Sequence, residues 1–353
     1  MSKIDIKSMN IEEIKELISS WGEPKFRAAQ IFSWLQNGCE TFDEMTNLSK
    51  SIRARLNEEC YIATVKIERK LVSSIDGTVK YLYKLNDGEY IESVLMKYHH
   101  GYTVCASTQV GCRMGCKFCA SGLNGLKRNL TPSEILSQIM VVAKDNNIRV
   151  SNIVLMGMGE PLDNFDNTVK FLRLVSDDKG LNIGLRHISV STCGLVNGIE
   201  KLRQENMPIT LSISLHAPTD EIRNKTMPVN KKYNIDELLL ACKKYIKTTG
   251  RRISFEYALI ENINDGEEHA KILAKKLKGM LCHVNLIPVN PVKENDLKTP
   301  QKARIQKFKN TLEAFGINTT VRRTLGSDIN ASCGQLRREH NSMNGGAVNE
   351  YCE

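Results

Sequence analysis

The 353-residue chain has no run approaching 18 uninterrupted apolar residues, which argues against a transmembrane helix. Its first residues, MSKIDIKSMNIEEIKEL, lack the apolar stretch of a secretory leader. The expectation is a cytoplasmic protein with no membrane partner. Disulfide scaffolding is also absent from the pattern. The eleven cysteines are odd in number and spread along a long chain instead of stapling short loops. Nor is there a second close ligand pair: no CxxC or HxxxH follows the clustered cysteines, as a structural zinc site usually requires.

What is present is CxxxCxxC. Cys112, Cys116 and Cys119 lie in GCRMGCKFCASG. Three thiolates can hold three corners of a cubane iron–sulfur cluster and leave the fourth iron open, whereas electron-transfer clusters are normally fully ligated. Gly111, Gly115 and Gly122 let the loop fold tightly around a bulky ligand. Spacing alone favours a cluster over half a zinc site or a redox pair. Cys39, Cys60, Cys193, Cys242, Cys282 and Cys352 read as small core hydrophobes or incidental thiols.

The formal charge of +9 is unevenly placed: residues 1–60 carry −2 and residues 61–353 carry +11. Basic groups crowd at Lys127 and Arg128, Arg251 and Arg252, Arg322 and Arg323, Arg337 and Arg338, and from Lys293 to Lys309. Such an excess suits a polyanionic partner, with RNA the first candidate. The acidic balance of the N-terminal segment argues against its being a simple electrostatic grip.

The chain divides by pattern into residues 1–60, 61–98, 99–343 and a tail at 344–353. Apolar stripes predict helices through Ile11–Ile18, Phe26–Leu35 and Ser49–Glu59, the last capped by its serine. Residues 61–97 alternate as strand, turn and strand. Beyond residue 101, strands are expected at 102–107, 152–156, 187–191, 209–215, 252–260, 283–287 and 317–321. Helices separate them near 132–146, 165–176, 234–248, 266–278 and 300–315. This alternation makes the chain α/β, with a mostly parallel sheet. Polar groups at the strand ends favour a full or partial (β/α) barrel. The glycines of GMGEP lack the spacing of a dinucleotide fingerprint.

The segments YTVCASTQVGCRMGCKFCASG, NIVLMGMGEPLDN, SVSTCG, LSISLHAP, HVNLIPVNP and INASCGQL together resemble the RlmN/Cfr family of radical S-adenosylmethionine RNA adenosine methyltransferases. The likeness runs from about residue 11 to residue 340. GMGEP and NLIPVNP look like the RlmN branch, which methylates carbon-2 of adenine; the alternative is the carbon-8 chemistry of the Cfr branch, which confers antibiotic resistance. The resemblance implies a partial TIM barrel with a small N-terminal helical accessory domain for RNA docking and a β-hairpin linker. It also implies 23S ribosomal RNA and transfer RNA as substrates, a flavodoxin or ferredoxin as electron donor, and a monomer. Two rivals remain: a radical enzyme acting on a peptide or small metabolite, and a zinc-holding RNA-binding or ribosome-assembly module.

By the same resemblance, Cys112, Cys116 and Cys119 bind one [4Fe-4S] cluster, and two S-adenosylmethionine molecules are used per turnover. Gly159 and Glu160 receive the methionine amino group, while Ser191, Ser214, Leu215, His216 and Asn290 surround the rest of that cofactor. Cys333 carries the methyl group, since a thiolate attacks a sulfonium methyl readily. Cys105 resolves the RNA adduct through a transient disulfide with Cys333. Glu92 stands near the target base, to accept a proton or to orient the adenine, and an exposed strand glutamate is its bland alternative.

Overall fold

The computed structural model describes residues 3–290, 296–332 and 335. The first segment is built from local signals. After the short β1 (Ile4–Asp5), Asn10 caps α1 (Ile11–Ser20) in a capping box with Glu13. Helix α2 (Phe26–Gln36) follows, and Ser49 caps α3 (Lys50–Glu59) as the sequence predicts. Strand β2 (Cys60–Tyr61) returns to pair in parallel with β1. Ile14, Ile18, Ile31, Phe32, Leu35, Ile52 and Leu56 share one small core, to which the barrel contributes Leu174. Polar contacts also fasten this unit: Lys7 Nζ donates to Ser137 Oγ at 2.8 Å, and Lys170 lies 2.7 Å from Glu13.

Residues 61–98 form three antiparallel strands: β3 (Lys66–Val72), β4 (Val79–Lys84) and β5 (Tyr90–Tyr98). Strand β5 pairs antiparallel with β6 (Gly101–Cys105), so the hairpin region is continuous with the main sheet. A short ribbon, β7 (Gln109–Gly111) and β8 (Leu126–Asn129), then brackets the cysteine loop.

The alternation that follows is α4 (Pro132–Asn146), β9 (Val150–Leu155), α5 (Phe165–Ser176), β10 (Ile188–Thr192), α6 (Val196–Glu205) and β11 (Thr210–Ser214). It continues with α7 (Asp220–Thr226), α8 (Ile235–Thr249), β12 (Ile253–Leu259), α9 (Glu267–Leu277), β13 (Cys282–Pro288), α10 (Lys302–Ala314) and β14 (Thr319–Val321). Thr131 caps α4 with Pro132 in its first turn. The ten-stranded sheet runs β14-β13-β12-β11-β10-β9-β6-β5-β4-β3, and every pairing from β6 to β14 is parallel. This is a partial (β/α) barrel extended by an antiparallel edge.

Among the described residues β14 and β3 are the two ends of the sheet and do not pair with each other. The chain after β14 crosses instead to the turn between β3 and β4. Two helices escape the sequence pattern, α6 and α7. Gly198 sits inside α6 because a side chain there would meet Leu162, its added Cβ falling 2.8 Å from the Leu162 Cβ. Among the described residues no helix is long and apolar enough to cross a membrane.

Candidate functional site

A cavity opens at the carboxyl ends of the parallel strands. Cys112, Cys116, Cys119, Gly159, Glu160, Ser191, Ser214, His216 and Asn290 all border it. Leu215 does not; it is buried behind the wall, where its N–H and that of His216 donate to the carbonyl of Glu256. An adjoining cavity is bordered by Cys105, Ala331 and Ser332. Met156, Ile287, Asn290 and Arg322 line both. Cys333 and the tail at 344–353 lie outside the described residues. The described cysteines, Cys105 included, are thiols with no disulfide among them.

The cysteine loop is held at both ends. Gly111 has φ +78°, and a Cβ there would fall 2.0 Å from the carbonyl oxygen of Gly125, so no side chain fits. The N–H of Cys112 donates to Gly125 at 3.0 Å, and the N–H of Lys117 donates to the Thr226 carbonyl at 2.9 Å. Met114, Cys116 and Phe118 pack against Cys193, Met227 and Val229. Burial pushes the Cys112 thiol up to about 12 and raises Cys116 as well, with the neighbouring thiols adding to both.

Among the described residues no three His, Cys, Asp or Glu side chains converge on a single metal ion. A cubane asks for a different arrangement, with each cysteine on its own iron. Three thiols around one open cavity, on a loop whose glycines leave room beside it, fit that requirement.

Glu160 follows a turn that presses closely on the link between β6 and β7. Gly159 has φ +106°, and a Cβ there would lie 2.6 Å from the Gln109 Cβ; at Gly157 it would lie 2.7 Å from the Ala106 backbone. The buried Glu160 carboxylate accepts from the main-chain N–H groups of Leu162 at 3.1 Å and Cys193 at 2.7 Å. Burial raises its pKa, opposed by the hydrogen bonds from Cys193, Thr192 and Leu162. Gln109 Oε1 in turn accepts from the Glu160 N–H at 2.8 Å.

His216 adopts φ +55°. Its Nδ1 accepts from the Ala258 N–H at 2.8 Å, which leaves the proton on Nε2. Its ring meets Phe118 edge-on, centroids 4.7 Å apart. Burial, helped by the positive charge of Arg223, drives its pKa down to about 3. The ring is therefore a neutral donor.

Arg223 is fully buried and donates to the carbonyls of Cys193, Ser214, Leu215 and Tyr233 and to Asn230 Oδ1. It joins the ends of β10 and β11 to the platform beneath the cysteine loop. Neither it nor Gln109 is identified by sequence reasoning: Gln109 stands unmarked inside ASTQVGC, and a lone helical arginine reads as surface.

Glu92 differs from its bland reading. It is buried on β5, borders neither cavity, and lies 2.8 Å from Lys80 Nζ. It shares a strand face with Val94 and Met96, which border the Cys105 cavity.

Residues 106–273 match the radical SAM superfamily, and residues 4–62 match the ribosomal RNA large subunit methyltransferase N-terminal domain. A probable dual-specificity RNA methyltransferase RlmN of Alkaliphilus oremlandii is 58% identical over 340 residues, 96% of this chain and 99% of that protein. A protein of the same description from Clostridioides difficile is 53% identical over 338 residues, 96% of this chain and 98% of its own. The crystal structure of a radical SAM methyltransferase from Sphaerobacter thermophilus superposes with a TM-score of 0.90 at 42% identity, covering 95% of this chain and all of that one.

Proposed function

Because the chain belongs to the RlmN family of radical SAM RNA methyltransferases, we propose that it methylates carbon-2 of adenosine in 23S ribosomal RNA and in transfer RNA. The substrates are an adenosine of the peptidyl-transferase centre and one beside the anticodon. The observation that carries this reading is one cavity bordered by Cys112, Cys116, Cys119, Glu160 and His216 that shares four of its lining residues with a second bordered by Cys105.

Carbon-2 of adenine is electron-poor and does not attack a sulfonium methyl, which makes an intermediate carrier necessary. Cys112, Cys116 and Cys119 would hold a [4Fe-4S] cluster, with electrons arriving from a flavodoxin or ferredoxin. When bound, that cluster supplies the electron that cleaves S-adenosylmethionine to a carbon radical. Glu160 would take the methionine amino group, its carboxylate already aimed by Cys193 and Leu162. Gly159 would share in receiving that amino group, and the side chains of Ser191, Ser214, His216 and Asn290 would orient the remainder, with Leu215 fixing the turn from behind.

Cys333 would take a methyl group from a first S-adenosylmethionine by displacement. After hydrogen is removed from that methyl, its carbon adds to adenine carbon-2 and ties RNA to enzyme through a thioether, and the unpaired electron left on the ring returns to the redox carrier that supplied it. Glu92, which borders neither cavity, would accept the carbon-2 proton through an intervening group or help orient the adenine. The Cys105 thiolate then attacks the Cys333 sulfur and breaks its bond to the methylene carbon, forming a transient disulfide while that carbon takes a proton from solvent to become the methyl of the released base. The base must be flipped out of its stack to reach this depth. Residues 1–60, with a core of their own, would dock RNA by shape, and exposed Arg113, Lys117 and Lys127 near the loop would hold phosphates.

Reconstituted enzyme, a reductant and isotopically labelled methyl donor should yield 2-methyladenosine in ribosomal and transfer RNA by mass spectrometry. Recovery of 8-methyladenosine instead would assign the Cfr-like reaction. A preparation holding zinc without iron or sulfide would exclude radical chemistry.

A further inference from the structure

The segment after β14 is tied to the opposite edge of the sheet by a graded set of contacts. At the surface, Asp328 accepts from Ser73 Oγ at 2.7 Å and from the Ser74 N–H at 2.9 Å. The N–H of Gly326 donates to Asp76 Oδ2 at 2.9 Å. Beneath them, Lys80 Nζ reaches two groups at once, 2.8 Å from Glu92 Oε1 and 3.2 Å from the carbonyl oxygen of Asn330. Lys80 and Glu92 are 5% and 3% exposed, so this ion pair is away from solvent.

The tethered carbonyl stands at a bend. Asn330 has φ +51°, in the left-handed region, and Ala331 and Ser332 then turn into the wall of the Cys105 cavity. Ser332 is fixed by its hydroxyl, which donates to the Leu325 carbonyl at 2.8 Å. Cys333 is the next residue in the chain.

A buried ion pair gains little net stability over apolar side chains of the same volume, because desolvation offsets the attraction. Surface contacts through Asp328 and Asp76 already close the gap. What the ammonium adds is a fixed distance between one carboxylate and one loop. We propose that Lys80 is a positioning residue, whose ammonium registers the loop leading into Cys333 against Glu92. This rests on the reading of Cys333 as methyl carrier, and it adds a residue that touches neither substrate nor cofactor.

The test uses full-length enzyme with its cluster loaded, and follows methylation of Cys333 by S-adenosylmethionine without RNA, read by peptide mass spectrometry. E92Q keeps an oxygen for Lys80 and leaves its contact with Asn330, although the ammonium loses its counterion; the rate at which its Cys333 acquires a methyl is the reference against which the tether is read, and RNA turnover should fall. K80M/E92Q removes the tether without stranding a buried charge. Its Cys333 methylation should slow by about tenfold or more relative to E92Q, as misplaced reacting groups do, with iron and sulfide content and melting temperature unchanged. K80R, which keeps charge and reach, should recover part of the rate.

Equal rates for E92Q and K80M/E92Q overturn the proposal. So does a double variant that cannot fold or load iron, since Lys80 then serves stability alone. A wild-type enzyme that never methylates Cys333 overturns the reading beneath, and the proposal falls with it.

Discussion

Glu160 Oε2 accepts a 2.7 Å hydrogen bond from the main-chain N–H of Cys193, the residue whose carbonyl accepts from Arg223 Nη2, also at 2.7 Å. The carboxylate proposed to bind the methionine amino group is thus aimed by the end of β10 and not by a neighbouring side-chain cation. It is also costly to keep ionised. Burial raises its pKa, so the penalty is absent below the unfolded value of about 4.3 and grows as pH rises through the folded value. Glu160→Gln should therefore raise the melting temperature of the cluster-free protein near neutral pH, with the gain vanishing toward pH ~4. In loaded enzyme the same change should weaken S-adenosylmethionine binding by about tenfold or more, through loss of a charge-assisted hydrogen bond. Equal melting curves at all pH values would contradict the burial argument.

His216 should not titrate in the physiological range. Its pKa of about 3 arises first from burial and then from Arg223. Because the unfolded ring takes up its proton near pH ~6.5, the stability lost to this residue should appear as pH falls below that value and continue toward the folded pKa. Nitrogen-15 NMR of the histidine rings should show one resonance pair with protonated Nε2 and bare Nδ1 throughout about pH 5–8. His216→Ala should cost about 1–3 kcal/mol by stranding the Ala258 N–H.

Much of this site is legible in the sequence, and the reason is physical. The barrel strands and most of the helices announce themselves by period, and α3 by its capping serine. The loop cysteines are local to one another, as are the residues of the GMGEP turn, and the parallel strand ends bring the two to one cavity. What sequence hides is convergence between distant elements. Arg223 meets the ends of two strands from a short helix, and Lys80 meets a carbonyl 250 residues away. No periodicity marks such residues. Helix α6 was concealed by Gly198, whose small size serves packing against Leu162 and not backbone freedom. The β7–β8 ribbon is too short to alternate visibly.

Gly159→Ala tests how closely the turn before Glu160 must approach its neighbour. The residue has φ +106°, and the added methyl would meet Gln109 atoms at 2.6–2.9 Å. Left-handed strain alone should cost about 1–3 kcal/mol. Relief by moving Gln109 would break its bond to the Glu160 N–H. Calorimetric titration should show S-adenosylmethionine binding lost at least as severely as in Glu160→Gln, with iron content retained. Unchanged binding would show that the turn can open without moving the carboxylate.

Arg223→Lys is the more demanding test of how the cysteine loop is supported. The guanidinium donates to four carbonyls and one side-chain amide from a fully buried position, a fan of donors in fixed directions. A lysine keeps the charge but has fewer donors and no planar fork. It must leave some of these acceptors unmet, and a destabilisation of about 3 kcal/mol is expected for disrupting a buried charged network. The loss should also reach the loop, because α7 carries both Arg223 and the Thr226 carbonyl that anchors the Lys117 N–H. Loaded Arg223→Lys enzyme should therefore release iron faster than wild type under chelator challenge, even at temperatures where its circular dichroism is native. Iron retention equal to wild type, in a variant that melts early, would confine Arg223 to holding strand ends and detach it from the loop.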